Sequence, residues 1–231
     1  MTGGDAGRAS GLYGRRVGKP LSPRRARLMA EAYPALALDL SAPAPADLGA
    51  LFPGSPDRIH LEIGFGAGEH LIAAATAAPD AGFIGVEPFV NGMAAAVAAT
   101  VERQLANVRL FDGEASRLLD WLPPAALDAI DLMYPDPWPK KRHWKRRFVS
   151  DANVDRMARA LRPGVRFRFA SDIASYVEWT LVHLLGRADF AWTAERADDW
   201  RKPFPDWAGT RYEAKAIAAG RKPTYLTFIR C

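Results

Sequence analysis

The run Leu61-Glu62-Ile63-Gly64-Phe65-Gly66-Ala67-Gly68-Glu69-His70 sets three glycines at alternate positions between an apolar stretch and an alanine-rich one. This spacing permits a tight strand-to-helix turn and lets a ligand approach the backbone closely. A nicotinamide-nucleotide fingerprint begun at Gly64 would need glycine or alanine where Glu69 stands, and one begun at Gly66 would need it where Leu71 stands. That version fails. Glu87 follows Gly68 by 19 residues, at the end of the apolar run Gly82 to Val86, where a carboxylate can accept hydrogen bonds from ribose hydroxyls. Alone, the glycines would be an ordinary turn; with Glu87 in register they point to nucleoside binding.

A second acid stands in an unusual frame. Pro135 and Pro137 bracket Asp136 and deny it a helical conformation, after a run from Ile130 to Met133 that reads as a buried strand. The carboxylate then belongs at the carboxyl edge of a sheet, where open α/β folds bind ligands. It could accept from the N–H donors of a nucleobase, and Trp138 offers a face for a base to stack on. Lys140, Lys141, Arg142, Lys145, Arg146 and Arg147 follow at once, six cations in eight positions. Attached to such a loop, they suit phosphate contacts, which supply affinity rather than base identity.

Apolar strand-like runs alternate with Ala- and Leu-rich helical ones from Arg58 to Met133, the βαβ rhythm of a parallel sheet. After the basic run, Val149 to Leu161 read as a helix, Val165 to Ala170 as a strand and Ala174 to Leu185 as a helix. Phe190 to Glu195 and Tyr225 to Arg230 read as late strands that pair antiparallel at the edge. The expected fold is a single α/β domain with a seven-stranded, mostly parallel sheet and helices on both faces, spanning residues 31–231. Residues 1–30 lack periodicity and hold seven basic residues against one acid, so they read as a flexible basic arm. The remaining 201 residues carry 24 basic and 25 acidic groups, and the formal charge of +5 resides in that arm.

Other classes are set aside by composition. The single cysteine, Cys231, excludes an internal disulfide, and the four histidines show no metal-ligand spacing with it, so no metal is expected. No apolar run is long enough to span a bilayer, and the N-terminus lacks a leader's apolar segment, so a cytoplasmic protein without a membrane partner is expected.

The glycine loop followed by an acidic strand end resembles the class I S-adenosylmethionine-dependent methyltransferases. Tyr134-Pro135-Asp136-Pro137-Trp138-Pro139-Lys140-Lys141-Arg142-His143 is similar to the P-D-P-W-P-K-K-R-H signature of bacterial tRNA (guanine-N7)-methyltransferases. Thr210-Arg211-Tyr212-Glu213-Ala214-Lys215 matches their T-x-Y-E-x-K segment, and Asp172 fits the aspartate ending their fifth strand. The resemblance implies methyl transfer from S-adenosylmethionine to N7 of the variable-loop guanine 46 of tRNA. It implies that Glu62, Gly64, Gly66, Gly68, Glu87, Glu114 and Asp136 hold the cofactor, with Asp136 also the catalytic residue. Lys140, Asp172, Thr210, Arg211, Tyr212 and Glu213 would meet the substrate, and Lys141, Arg142, Lys145, Arg146 and Arg147 the RNA backbone. One departure is Gly113-Glu114-Ala115, where the family has Asp or Asn before alanine, which leaves Asp112 competing with Glu114 for the cofactor's adenine end. Two rivals are an exocyclic-amine (N6-adenine) methyltransferase, whose loop reads D/N-P-P-aromatic, and a noncatalytic RNA-binding module. Monomer and homodimer both remain open.

Overall fold

The computed structural model describes residues 14–231. In chain order it forms α1 (Pro23–Glu31), α2 (Tyr33–Leu36), β1 (Ile59–Ile63), α3 (Glu69–Ala77), β2 (Gly82–Val86), α4 (Val90–Glu102) and β3 (Val108–Phe111). There follow α5 (Ala115–Trp121), β4 (Leu127–Met133), α6 (Asp151–Ala160), β5 (Leu161–Ser171), α7 (Ala174–Leu185), β6 (Phe190–Trp192), α8 (Asp198–Arg201), α9 (Arg211–Ala218) and β7 (Thr224–Arg230). Short 3₁₀ turns occupy Leu48–Leu51 and Lys141–Arg146.

The seven strands lie in the order β3-β2-β1-β4-β5-β7-β6, and β7 alone runs antiparallel to both of its neighbours. Strand alternation explains the layers. In β1, the alternate residues Ile59, Leu61 and Ile63 face the same side as Ile84, Val86, Ile130, Leu132, Phe167 and Phe169. That side is covered by Leu118 and Leu119 of α5, Val154 and Met157 of α6, and Tyr176 and Leu184 of α7. On the other side Phe83 meets Leu71 of α3 and Met93 and Val97 of α4. The chain crosses from β3 at one edge to β4 beside β1, so the direction of strand addition reverses between β1 and β4, the place where open sheets leave a crevice at their carboxyl ends.

Two expectations change. Residues 1–13 lie outside the described residues, but the remainder of the expected arm is built onto the domain. Pro23–Glu31 are helical, with proline in the first turn and the Ser22 hydroxyl accepting from Arg25 N at 3.4 Å. No α1 residue is fully buried, and only Leu28 and Met29 pack on the α4 side of the core, so its arginines dominate its composition. Ahead of it, Val90 N donates to the Arg16 carbonyl at 2.9 Å and Gly18 N to Asn91 Oδ1 at 2.7 Å. The second change is at β5. The α6 helix stops at Ala160 and the strand starts at Leu161, four residues early, because Pro163 forces its predecessor into extended backbone. Gly164 at φ +83° then takes up an irregularity in pairing with β4. Among the described residues no helix is long and apolar enough to cross a membrane.

Candidate active site

A cleft of about 490 Å³ opens at the carboxyl ends of β1, β2 and β4. Its size suits a nucleoside-sized ligand. The glycine loop forms one wall. Gly64, Gly66 and Gly68 all have positive φ (69°, 60° and 83°), a conformation that costs other L-residues roughly 1–2 kcal/mol. Packing adds a second requirement, since a Cβ on Gly92 of α4 would stand 2.2 Å from the Gly66 carbonyl oxygen. The loop is therefore pressed against α4.

Glu87, one residue beyond β2, fastens this loop. Its Oε2 accepts from Gly66 N at 2.8 Å and its Oε1 from Phe89 N at 2.9 Å. Burial lifts the carboxyl above its ordinary range, against the pull of those two N–H groups. Each oxygen retains a lone pair for a ligand hydroxyl, because a carboxylate offers about four acceptor sites. Glu114 also reaches the cleft wall, whereas Asp112 does not; Asp112 interacts instead with the Tyr33 hydroxyl, whose proton it helps retain after burial has done most of that work.

Asp136 enters from the opposite wall. Tyr134 N donates to the Ala170 carbonyl at 2.8 Å as β4 ends, and Tyr134 and Trp138 both adopt positive φ, 51° and 44°. Two non-glycine residues in that region, on either side of Pro135-Asp136-Pro137, hold the loop in a shape that its own local preferences disfavour. Arg147 helps impose it, donating from Nε to the Pro137 carbonyl at 2.9 Å. Partial desolvation in the cleft raises the Asp136 carboxyl.

Not every expected residue reaches the cleft. Glu62 is buried beneath it, 2.9 Å from His70 Nδ1. Burial disfavours a charged imidazole, but the adjacent carboxylate outweighs it and raises His70, while burial raises Glu62. Gly68 lies behind the wall, where an added Cβ would meet Ala96 Cβ at 3.0 Å. Tyr212 is 43% exposed and lies over Gly66, its Cε2 3.1 Å from where a Cβ would be. Its neighbours serve as framework. The Thr210 hydroxyl caps α9 by accepting from Glu213 N at 3.2 Å, Arg211 reaches Glu69 at 3.5 Å, and Glu213 is buried, accepting from Trp207 Nε1 at 2.7 Å and from the Tyr225 hydroxyl. Asp172 pairs with Arg221. The Ser171 hydroxyl accepts from Ile173 N at 3.2 Å just ahead of α7.

The basic run divides as well. Lys140, Lys141, Arg142 and Lys145 are exposed, with Lys145 and Arg146 on the cleft wall and the Arg146 guanidinium 5.0 Å from the Trp138 ring centre. Arg147, expected as an RNA contact, lines the cleft as well but is tied into the framework around it. Only 3% exposed, it also donates to the Ser175 carbonyl at 2.7 Å and the Ser175 hydroxyl at 3.0 Å, and lies over the rings of Trp144 and Tyr176. Sequence reasoning missed Arg15 and Arg16, which line the cleft, and Gly14, whose added Cβ would stand 3.5 Å from Asp136 Oδ2. Only their charge was visible; Asn91, which anchors that segment, carries no motif.

The sheet order and a ligand cleft at its switch point define the methyltransferase fold class. The structure is similar to that of a 16S rRNA methyltransferase, KamB (TM-score 0.55, 17% identity, 76% of this chain and 89% of that one), and to that of TrmN from Thermus thermophilus (0.53, 16%, 76% and 45%). At such identity only the fold is shared. A family model described as "Putative methyltransferase" matches residues 56–226. The tRNA (guanine-N(7)-)-methyltransferase of Mesorhizobium japonicum is 59% identical over 219 residues, 95% of this chain and 94% of the relative. Those of Rhizobium meliloti and Agrobacterium fabrum are 58% and 56% identical over the same shares. The chain belongs to the tRNA (guanine-N7)-methyltransferase family.

Proposed function

We propose that this cleft transfers a methyl group from S-adenosylmethionine to N7 of a guanine in tRNA, the variable-loop guanine 46. The observation that carries the reading is the convergence of Glu87 and Asp136 on one cleft beside a glycine loop that Tyr212 overhangs. The residues present fit the cofactor: left-handed glycines allow close approach, Glu87 and Glu114 offer acceptors to hydroxyl and amino groups, and two carboxylates suit a cationic sulfonium. When bound, S-adenosylmethionine supplies an electrophilic methyl group with a neutral thioether as leaving group.

Guanine N7 carries an in-plane lone pair and no proton, so forming the N7–CH₃ bond and breaking the S–CH₃ bond needs no general base. The positive charge moves from sulfur to the purine. This chain's task is alignment, which can supply roughly 7–11 kcal/mol. Asp136 accepts from the Watson–Crick donors of the guanine and fixes its plane, with Trp138 as a stacking face. Lys145 and Arg146 on the wall, with Lys140, Lys141 and Arg142 beyond it, meet backbone phosphates. Because tRNA is the substrate, the site of action is the cytoplasm.

The test is transfer of labelled methyl from the cofactor to tRNA lacking the modification, followed by nucleoside analysis. N7-methylguanosine is expected. N6-methyladenosine would establish the exocyclic-amine rival, and cofactor binding without transfer would establish a noncatalytic module.

A further inference from the structure

Strands in the middle of a parallel sheet are ordinarily apolar on both faces. Here three neighbours break that rule in register. Glu62 of β1 stands opposite Asp131 of β4, and Asp131 opposite Arg168 of β5, all buried. This part of the face is closed by the segment ahead of α9, whose Phe204 and Trp207 pack with Met133, Ala170 and Tyr225. The charged row holds that segment. Arg168 donates to both Asp131 oxygens at 2.8 and 2.9 Å and to Asp206 at 2.5 Å, with its guanidinium 4.7 Å from the Phe204 ring centre.

At the end of the row, His70, in the first turn of α3 and two residues after Gly68, bonds Glu62 and packs its ring 4.9 Å from that of Trp207. Trp207 in turn bonds Glu213 of α9, whose neighbour Tyr212 overhangs Gly66. Loop and helix are thus clamped twice, in the cleft by Tyr212 and behind it by the two rings. Neither His70 nor Trp207 lines the cleft.

We propose that the His70–Trp207 contact is a positioning joint that makes cofactor binding and tRNA binding interdependent, by fixing α9 relative to the glycine loop. The proposal rests on the reading of the cleft given above. A ligand that orders the loop then orders α9, whose Thr210–Glu213 segment the family resemblance assigns to the substrate, and linkage requires the reverse effect to be equal.

The test uses the full chain with S-adenosylhomocysteine and unmodified tRNA, measuring the Kd of each without the other and at its saturation. In the unaltered protein each should tighten the other by the same factor, about fivefold or more. Trp207→Leu should bring the factor to within about twofold of unity while transfer to guanine N7 persists at saturation of both ligands. Trp207→Phe, which keeps a ring against His70, should restore most of it. Asp206→Ala removes an exposed carboxylate without emptying the core and should also lower the factor, so it decides the matter if the leucine variant does not fold. No coupling in the unaltered protein, or an unchanged factor in the folded variants, overturns the proposal. A wild-type product other than N7-methylguanosine would instead overturn the reading of the cleft.

Discussion

Glu87→Gln isolates what the fastening of the glycine loop contributes. The carboxylate receives two backbone N–H groups, from Gly66 at 2.8 Å and Phe89 at 2.9 Å, in a buried position. An amide of the same shape presents one oxygen and one NH₂, so it can satisfy only one of the two and turns a donor toward the other. The loss is one charge-assisted hydrogen bond, about 1.5–3 kcal/mol, and the survivor is weakened because its acceptor is no longer ionised. Since Gly66 lines the cleft, much of that loss falls on ligand binding, and about 1.5–3 kcal/mol corresponds to a Kd for S-adenosylmethionine raised roughly 10- to 150-fold. Isothermal titration with the cofactor and, separately, with tRNA measures both affinities, with tRNA expected to change less than about threefold in the absence of cofactor. Cofactor affinity equal to that of the unaltered protein, with a native-like melting curve, would show that the Glu87 bonds do not shape the cofactor site.

Three further outcomes follow from the same geometry. Lys141→Ala with Arg142→Ala should weaken tRNA binding and lower the magnitude of its salt slope by up to about 0.7–0.9 per lost phosphate contact, as a salt series will show. Arg147→Ala should instead destabilise the fold by about 2–4 kcal/mol, since it leaves Pro137 and Ser175 unpartnered, and chemical denaturation distinguishes the two kinds of arginine. Asp131 is held below the ordinary carboxylate range: burial opposes this, but the paired Arg168 hydrogen bonds outweigh it. Its stabilising contribution is therefore present above the unfolded-state pKa, near 3.9, and is lost as pH falls from there through the lower folded-state value. Asp131→Asn should flatten the acid limb of stability against pH, and an unchanged limb would place the acid sensitivity elsewhere.

Local pattern carried the alternation of strands and helices, because apolar periodicity reports the sheet directly. The cleft's position was legible too, since Glu87 ends one strand and Asp136 follows another. What was not legible depends on partners distant in the chain. Arg147 reads as one more cation until Trp144, Tyr176 and Ser175 close around it. The Glu62–His70 pairing joins a strand to the helix after it and carries no local signal, and α1, rich in arginine and without a fully buried residue, is read as charge rather than as a packed helix. Arg15 and Arg16 are held at the cleft by bonds distant in the chain, from Asn91 to the backbone at Gly18 and Lys19 and from Val90 N to the Arg16 carbonyl.

The central claim is that Asp136 orients the guanine and removes no proton. Single-turnover methyl transfer by Asp136→Asn, at saturating cofactor and tRNA, tests it most directly. The amide keeps the shape but turns donors toward guanine's own donors, so the rate should fall roughly 10²- to 10³-fold, about 3–4 kcal/mol, while cofactor affinity changes far less. In the unaltered protein kcat/KM should fall as acid protonates Asp136 of the free enzyme, with a midpoint above the ordinary carboxylate range because burial in the cleft raises that group. A turnover rate near that of the unaltered protein in the Asn variant would contradict the orienting role.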